Sequence, residues 1–356
     1  MHLPVKPPLD PMLSKRATAV PEGPGFIFEP KWDGFRTVVF RDGPELVLQS
    51  RDLKPMNRYF PELTEPLLST LPERCVLDGE VVLATEKGLD FEALQGRIHP
   101  AASRVAMLAE TMPVSIVFWD LMALGDDSLL NVAFAERRER LLRLLSDAKP
   151  PIHVTPATRD RAVAEDWFRR FEGAGLDGVM AKSEDGIYEP GKRAMWKVKH
   201  DRTCDAVVAG FRWHKGGEGT RIGSLLLGLH DDQGKLHHIG VTASFTAKKR
   251  EELVEFLAPY RENARDGHPW SGWMGPENGA TRRPGAVSRW SRGKDLSWEP
   301  VRPELVCEVG YDHMQGSRFR HTAQFKRWRH DKPPSACRFD QLEVTAPFEL
   351  AQIFRA

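Results

Sequence analysis

Residues 26–36, Phe-Ile-Phe-Glu-Pro-Lys-Trp-Asp-Gly-Phe-Arg, constrain this chain more than any other stretch. Apolar residues on either side of Lys31-Trp32-Asp33-Gly34 predict two short strands meeting at a tight connection. Gly34 is where the backbone can turn or approach another group closely. A lysine held at a strand end becomes a nucleophile when partial burial and neighbouring cations lower its pKa. Taken alone, the four residues fit an exposed lysine in a turn better than a nucleophile.

The rest of the chain supplies the context. At 356 residues it is long enough for two domains, and 41% hydrophobic with 28% charged residues is the balance of a water-soluble globular protein. Net charge is only +1, from 51 Lys and Arg against 50 Asp and Glu, so any nucleic-acid affinity must come from local patches. Cys75, Cys204, Cys307 and Cys337 lie far apart without a CxxC pair, which argues against a structural zinc site and fits a reducing cytoplasm. No stretch has the length of a membrane span, and residues 1–16 lack the apolar run of a secretory leader.

Residues 1–25, rich in proline, are expected to run extended along the surface. Residues 35–50 read as strand, turn and returning strand. Residues 57–70 form a short helix, and residues 90–110 are expected to be helical with Arg97 and Arg104 facing solvent. Val114 to Leu121 is a strand. Residues 131–145 predict an amphipathic helix whose buried side is Leu141, Leu142, Leu144 and Leu145, its arginines spaced so that they can pair with glutamates. A further helix covers residues 161–173. Lys197 and Lys199 alternate onto one face of a strand, where they repel unless an anion lies between them. Beyond residues 200–204 come several short strands and one helix, the pattern of a small barrel or a small sandwich.

Seven motifs follow one another in order: Lys31-Trp-Asp-Gly34, Ser50-Arg51, Leu77-Asp-Gly-Glu80, Phe118-Trp-Asp-Leu121, Asp177-Gly-Val-Met-Ala-Lys182, Trp196-Lys-Val-Lys199, and Arg329-His-Asp-Lys332. The set resembles the covalent nucleotidyltransferases, specifically the ATP-dependent DNA ligases. Residues 221–229 and 293–298 look like the compact actinobacterial type often called ligase C. The resemblance covers nearly the whole chain. It implies an α+β fold: an adenylation (nucleotidyltransferase) domain of antiparallel sheets and helices over residues 1–202, then an OB-fold β-barrel over residues 203–335. An inserted, DNA-facing loop spans residues 263–300, and residues 336–356 form a C-terminal extension. No separate DNA-clamping domain precedes Lys31.

The same resemblance assigns roles. Lys31 carries AMP covalently, and Asp33 orders its loop. Arg36, Lys197 and Lys199 offset phosphate charge, with Arg193 beside them. Arg51 faces the 5′-phosphate side of a nick. Glu29 accepts the adenine amino hydrogen, and Trp119 stacks on the base where the family commonly has Phe. Glu80 and Asp177 hold Mg²⁺ or Mn²⁺; Asp177 replaces the usual Glu with a shorter arm, so its contact is direct or through water. Arg329 and Lys332 orient the pyrophosphate leaving group, in a segment that swings onto the ATP pocket. The expected substrate is nicked duplex DNA and the expected cofactor ATP, in a cytoplasmic, nucleoid-associated monomer serving DNA repair and recombination. Repair polymerases or end-joining factors are the implied partners. The competing readings are an RNA-end ligase, a capping enzyme, which Glu29 disfavours, and a non-catalytic nucleic-acid-binding protein.

Overall fold

The computed structural model describes residues 1–86, 88–273, 297–312, 314–343 and 346–353. Most of the loop expected over residues 263–300, and the first four residues of the 293–298 motif, lie outside the described residues. The chain divides into two compact units, Met1–Lys199 with Thr345–Ala356, and His200–Val344.

The first unit is built on two main sheets, with a small hairpin of Ala84–Thr85 and Gly88–Leu89 beside them. One has the strand order Leu13–Ala17, Arg193–Val198, Val179–Ser183, Phe26–Pro30; its first pair is parallel and the others antiparallel. The other runs Ile152–Val154, Ser115–Leu124, Arg74–Val82, Phe35–Asp42, Glu45–Ser50, with a parallel pair only at the Ile152–Val154 edge. The central strand Arg74–Val82 continues through Asp78-Gly79-Glu80, although its register against Ser115–Leu124 shifts between Asp78 and Gly79. It does so because Gly79 has no side chain: a Cβ there would sit 2.5 Å from the Val117 carbonyl oxygen.

Sequence expectations about the edges of this unit change. The proline-rich lead-in is not a surface strap, because Leu3, Val5 and Met12 are buried against Val38, Phe40, Val76 and Met122, and residues 13–17 add a strand. Apolar residues at 3, 5 and 12 outweigh the proline signal once a sheet face is available to cover. At the other end, Leu350 and Ile353 join a core with Trp167, Phe171 and Trp32, and Phe348 packs 5.2 Å from Phe171.

Helix Phe134–Leu144 buries Leu141 but leaves Leu142 46% exposed. Its buried face is completed by two arginines. Arg137 donates to both Asp120 oxygens at 2.8 and 3.0 Å, and both side chains are 1% exposed. Only Arg140 makes the expected pair one turn away, with Glu136. Arg97 is likewise buried rather than solvent-facing. It bridges Glu62, at 2.6 and 3.0 Å, to the Met112 and Tyr59 carbonyls. Arg104 is exposed, as expected.

The second unit is a five-stranded antiparallel sheet in the order Leu236–Thr242, Ile222–His230, Arg202–Trp213, Glu299–Tyr311, Gln324–Trp328, covered by helix Ala247–Arg261 through Leu253 and Leu257. The OB-fold barrel expected from the resemblance is not formed: no sheet closes on itself among the described residues. Closure needs a continuous ladder between the first and last strands. Here those edges meet at one isolated bridge, Thr242 with Ala323, so the sheet stays open.

Helix Phe134–Leu144 yields a stability prediction. Arg137→Ala strands Asp120 as a buried, uncompensated charge and should cost about 3–5 kcal/mol. Leu142→Ala should stay within about 0.5 kcal/mol of the parent. Urea unfolding of the two variants checks this; similar values would mean the Arg137–Asp120 pair does not support the fold.

Candidate active site

Lys31 follows the strand Phe26–Pro30, and its backbone is fixed on both sides. Its N–H donates to the Gly178 carbonyl at 2.8 Å, and its carbonyl accepts from the Asp177 N–H at 2.9 Å. Trp32 is 3% exposed and donates its indole N–H to Thr155 Oγ1 at 2.8 Å, pinning the connection to the core. Asp33 is half-buried within it. Gly34 then admits a close approach: a Cβ would meet the Val81 carbonyl oxygen at 2.1 Å. Gly178, at φ +130°, is equally constrained, with the Val198 carbonyl 2.0 Å from any Cβ.

These two glycines bring Lys31, Asp177 and Lys199 to one point. Asp177 Oδ2 accepts from Lys31 Nζ at 2.6 Å and pairs with Lys199 Nζ at 2.8 Å. Burial alone would raise the Asp177 carboxyl; Lys31 and then Lys199 outweigh it and hold the group well below the usual carboxylate range. This carboxylate lies between Lys31 and Lys199, not between Lys197 and Lys199 as the expected anion would. Lys197 has its pKa lowered by burial and then by Lys31, Lys199, Arg51 and Arg193, so five cations share one field. Arg193 also donates to the Ser14 carbonyl at 2.7 Å, and Arg51 is exposed at the turn after Glu45–Ser50.

Arg36 and Glu80 face each other across adjacent strands. Arg36 is committed within the protein: it donates to Asp78 at 3.0 and 2.5 Å and to the Met12 carbonyl at 2.6 Å, while Tyr188 O–H donates to the same Asp78 at 2.9 Å. The guanidinium lies 5.5 Å from the Trp119 ring centre. Asp78 and Tyr188 were not singled out from the sequence, although Asp78 sits inside the Asp-Gly-Glu motif. Glu80 accepts the Gly34 N–H at 3.1 Å, and burial pushes its carboxyl up to about 7 against the pull of Lys31 and Arg36.

Trp119 is half-buried, whereas its strand neighbours from Ile116 to Ala123 are buried. That exposure, with cations near its ring, favours a platform over a core tryptophan. Glu29 is 2% exposed and flanked by two cations: Arg138 donates to Oε1 at 2.9 Å and Lys182 Nζ lies 2.7 Å from Oε2. Arg138 escaped sequence reasoning because helical spacing offered it nearby glutamates.

In the second unit Arg329 and Lys332 converge on Asp205. Arg329 donates to both Asp205 oxygens at 3.0 Å and to Asp331 at 2.9 and 2.8 Å; Lys332 reaches Asp205 at 2.8 Å. Asp205 was missed because it precedes its partners by more than a hundred residues. No group of three or more His, Cys, Asp or Glu side chains suited to a metal occurs among the described residues.

The strand-end lysine thus lies against a carboxylate in a field of cations, in a unit that also carries a half-buried tryptophan near Arg36 and Lys182. The ATP dependent DNA ligase domain family matches residues 11–199, and the ATP dependent DNA ligase C terminal region matches residues 218–332. The chain belongs to the ATP-dependent DNA ligase family. It is 54% identical to DNA ligase C2 of Mycolicibacterium smegmatis, over 96% of each chain, and 52% identical to DNA ligase C of Mycobacterium tuberculosis, over 99% of each. A solved Lig E DNA ligase shares the fold at a TM-score of 0.55 and 18% identity, covering 90% of this chain and 98% of that one. No helix among the described residues is long and apolar enough to cross a membrane.

The Glu80 carboxyl predicts a pH effect. Its folded value, about 7, exceeds the ordinary 4.5, so between these values the folded state binds more protons. The stability it contributes is fully present below about pH 4.5 and is lost as pH rises through about 7. Glu80→Gln should flatten that part of the stability profile in urea unfolding; an unchanged slope would show that Glu80 is ordinarily ionised.

Trp119→Ala should weaken ATP use by roughly 1–3 kcal/mol, a typical loss of base stacking, while Trp119→Phe keeps most of it. Adenylation at several ATP concentrations measures this. Equal performance of Ala and wild type, with unchanged folding, would return Trp119 to the core.

Proposed function

We propose that this ligase joins 5′-phosphate and 3′-hydroxyl ends at nicks in duplex DNA, through AMP carried on Lys31. The unprotonated Lys31 amine attacks the ATP α-phosphorus; the phosphoramidate P–N bond forms and the bond to pyrophosphate breaks. AMP passes to the 5′-phosphate of the nick. The 3′-hydroxyl then attacks that phosphate, AMP leaves, and the backbone is sealed. The intermediate supplies a good leaving group, which a phosphate monoester oxygen is not.

The observation that carries this reading is Lys31 Nζ held 2.6 Å from Asp177, with Lys199 on the same oxygen. The Lys31 amine is thereby aimed before substrate arrives, and aim is a large part of catalysis. ATP phosphates would take over part of the lysines' charge from Asp177. Lys197, Arg193 and Arg51 extend the cationic field toward phosphates of ATP or the nick. Arg36 acts chiefly by holding Asp78 and the strand beneath Trp119. Glu29 accepts the adenine amino hydrogen, and Asp33 orders the Lys31 loop.

Glu80 would hold Mg²⁺ or Mn²⁺, with Asp177 as a second carboxylate once phosphates take over its lysines. A buried carboxyl raised to about 7 gains its charged form when a cation arrives, and two carboxylates leave positions for water and phosphate oxygens. Bound there, the ion would neutralise phosphate charge. Work in DNA repair and recombination, recruitment by repair polymerases or end-joining factors, and action as a cytoplasmic monomer belong to the same proposal.

Two variants test it. Lys31→Ala should abolish denaturation-resistant label transfer from α-labelled ATP to protein; normal labelling would refute the nucleophile. Arg329→Ala should impair adenylation yet largely spare single-turnover sealing of a nick already carrying AMP. Equal loss in both assays would make Arg329 a folding or DNA-docking residue.

A further inference from the structure

Beneath the Trp119 ring lies a charge arrangement that the reaction steps above do not use. Glu29 is 2% exposed, yet it is a carboxylate, and such a group needs partners on its oxygens. Arg138 reaches it from helix Phe134–Leu144. One guanidinium nitrogen donates to Glu29 Oε1 at 2.9 Å, and the other donates to the Thr155 carbonyl at 2.7 Å. Lys182 completes the set, 2.7 Å from Glu29 Oε2, 4.6 Å from the Phe134 ring centre and 5.5 Å from that of Trp119. Thr155 also receives the Trp32 indole N–H, so one residue ties Arg138 to the connection carrying Lys31.

The planar fork of Arg138 bridges two elements and leaves Glu29 little rotational freedom. Each carboxylate oxygen has two lone pairs; Arg138 takes one on Oε1, and Lys182 meets Oε2 as an ion pair. A base resting on Trp119 would present its edge to this carboxylate. Adenine offers an exocyclic N–H donor there, whereas guanine offers a carbonyl oxygen, which a carboxylate repels. We propose that Arg138 is a positioning residue for nucleobase selection: by fixing Glu29 it aims a remaining lone pair at the 6-amino group of adenine. The inference rests on the reading of Glu29 given above and adds a residue that touches neither base nor phosphate.

The test exploits purine riboside triphosphate, which keeps the ring and phosphates of ATP but lacks the 6-amino group. Enzyme nucleotidylation is measured in single turnover across concentrations of each nucleotide, with wild type, Glu29→Gln, Arg138→Gln and Arg138→Lys. Wild type should prefer ATP. Arg138→Gln should raise the ATP concentration for half-maximal labelling about 10- to 100-fold, the scale of a hydrogen bond to a charged group, and shift the analogue less than about 3-fold. Glu29→Gln should show the same selective loss. Arg138→Lys keeps the charge without the fork and should fall between; it carries the comparison if Arg138→Gln does not fold.

A purely structural Arg138 would weaken both nucleotides equally, and that result overturns the inference. Selective loss in Glu29→Gln but none in either Arg138 variant refutes the positioning role and leaves the Glu29 reading intact. No selective loss in Glu29→Gln refutes the Glu29 reading itself, and the role of Arg138 with it.

Discussion

The pairing of Asp177 with Lys31 and Lys199 is the constraint on which the site depends. Three charges meet at 2.6 and 2.8 Å around one oxygen. Such closeness requires backbones to approach where side chains normally keep them apart. Gly178 and Gly34 permit it, with carbonyl oxygens 2.0 and 2.1 Å from where a Cβ would lie. The reciprocal backbone bonds between Lys31 and the 177–178 segment then hold the two strands in register. Lys31 is oriented by the sheet, and its charge is balanced by a carboxylate that the fold itself supplies.

Around this centre, the first unit uses buried arginines as structural ties. Arg97, Arg137 and Arg36 each engage a carboxylate with two nitrogens and add at least one backbone carbonyl. A guanidinium suits this because its fork satisfies several acceptors at once and leaves no acceptor of its own to pair. Arg137 ties a helix to the strand carrying Trp119, Arg36 ties two paired strands to the lead-in, and Arg97 ties helical segments to one another, all by directional contacts as well as apolar packing. Asp205 does comparable work in the second unit, gathering Arg329 and Lys332 before any substrate is present.

Much of this was legible in the chain itself. The ordered motifs led to the ligase family because spaced nucleophile, carboxylates and cations have few alternative explanations. The short strands and main helices followed from periodicity, although the strand expected to carry both Lys197 and Lys199 ends at Val198. The closed barrel did not follow: local pattern predicts strands, but closure depends on whether distant edges find a continuous ladder, and here they share one bridge. The partners of Arg36, Arg97, Arg137 and Arg138 were equally invisible. A charged side chain's fate is set by which acceptor lies opposite it after folding, and a solvated pair one helical turn away is the only partner that spacing can suggest.

What the sequence determined by itself was the chemistry: the residue types, their order and the local conformations that glycine and alternating apolar residues impose. Only the tertiary structure decided which charges meet. Asp177 reaches Lys31 across 146 positions and Glu29 reaches Arg138 across 109. Such contacts depend on sheet register and on which face a helix buries, and both are settled by packing the whole unit at once.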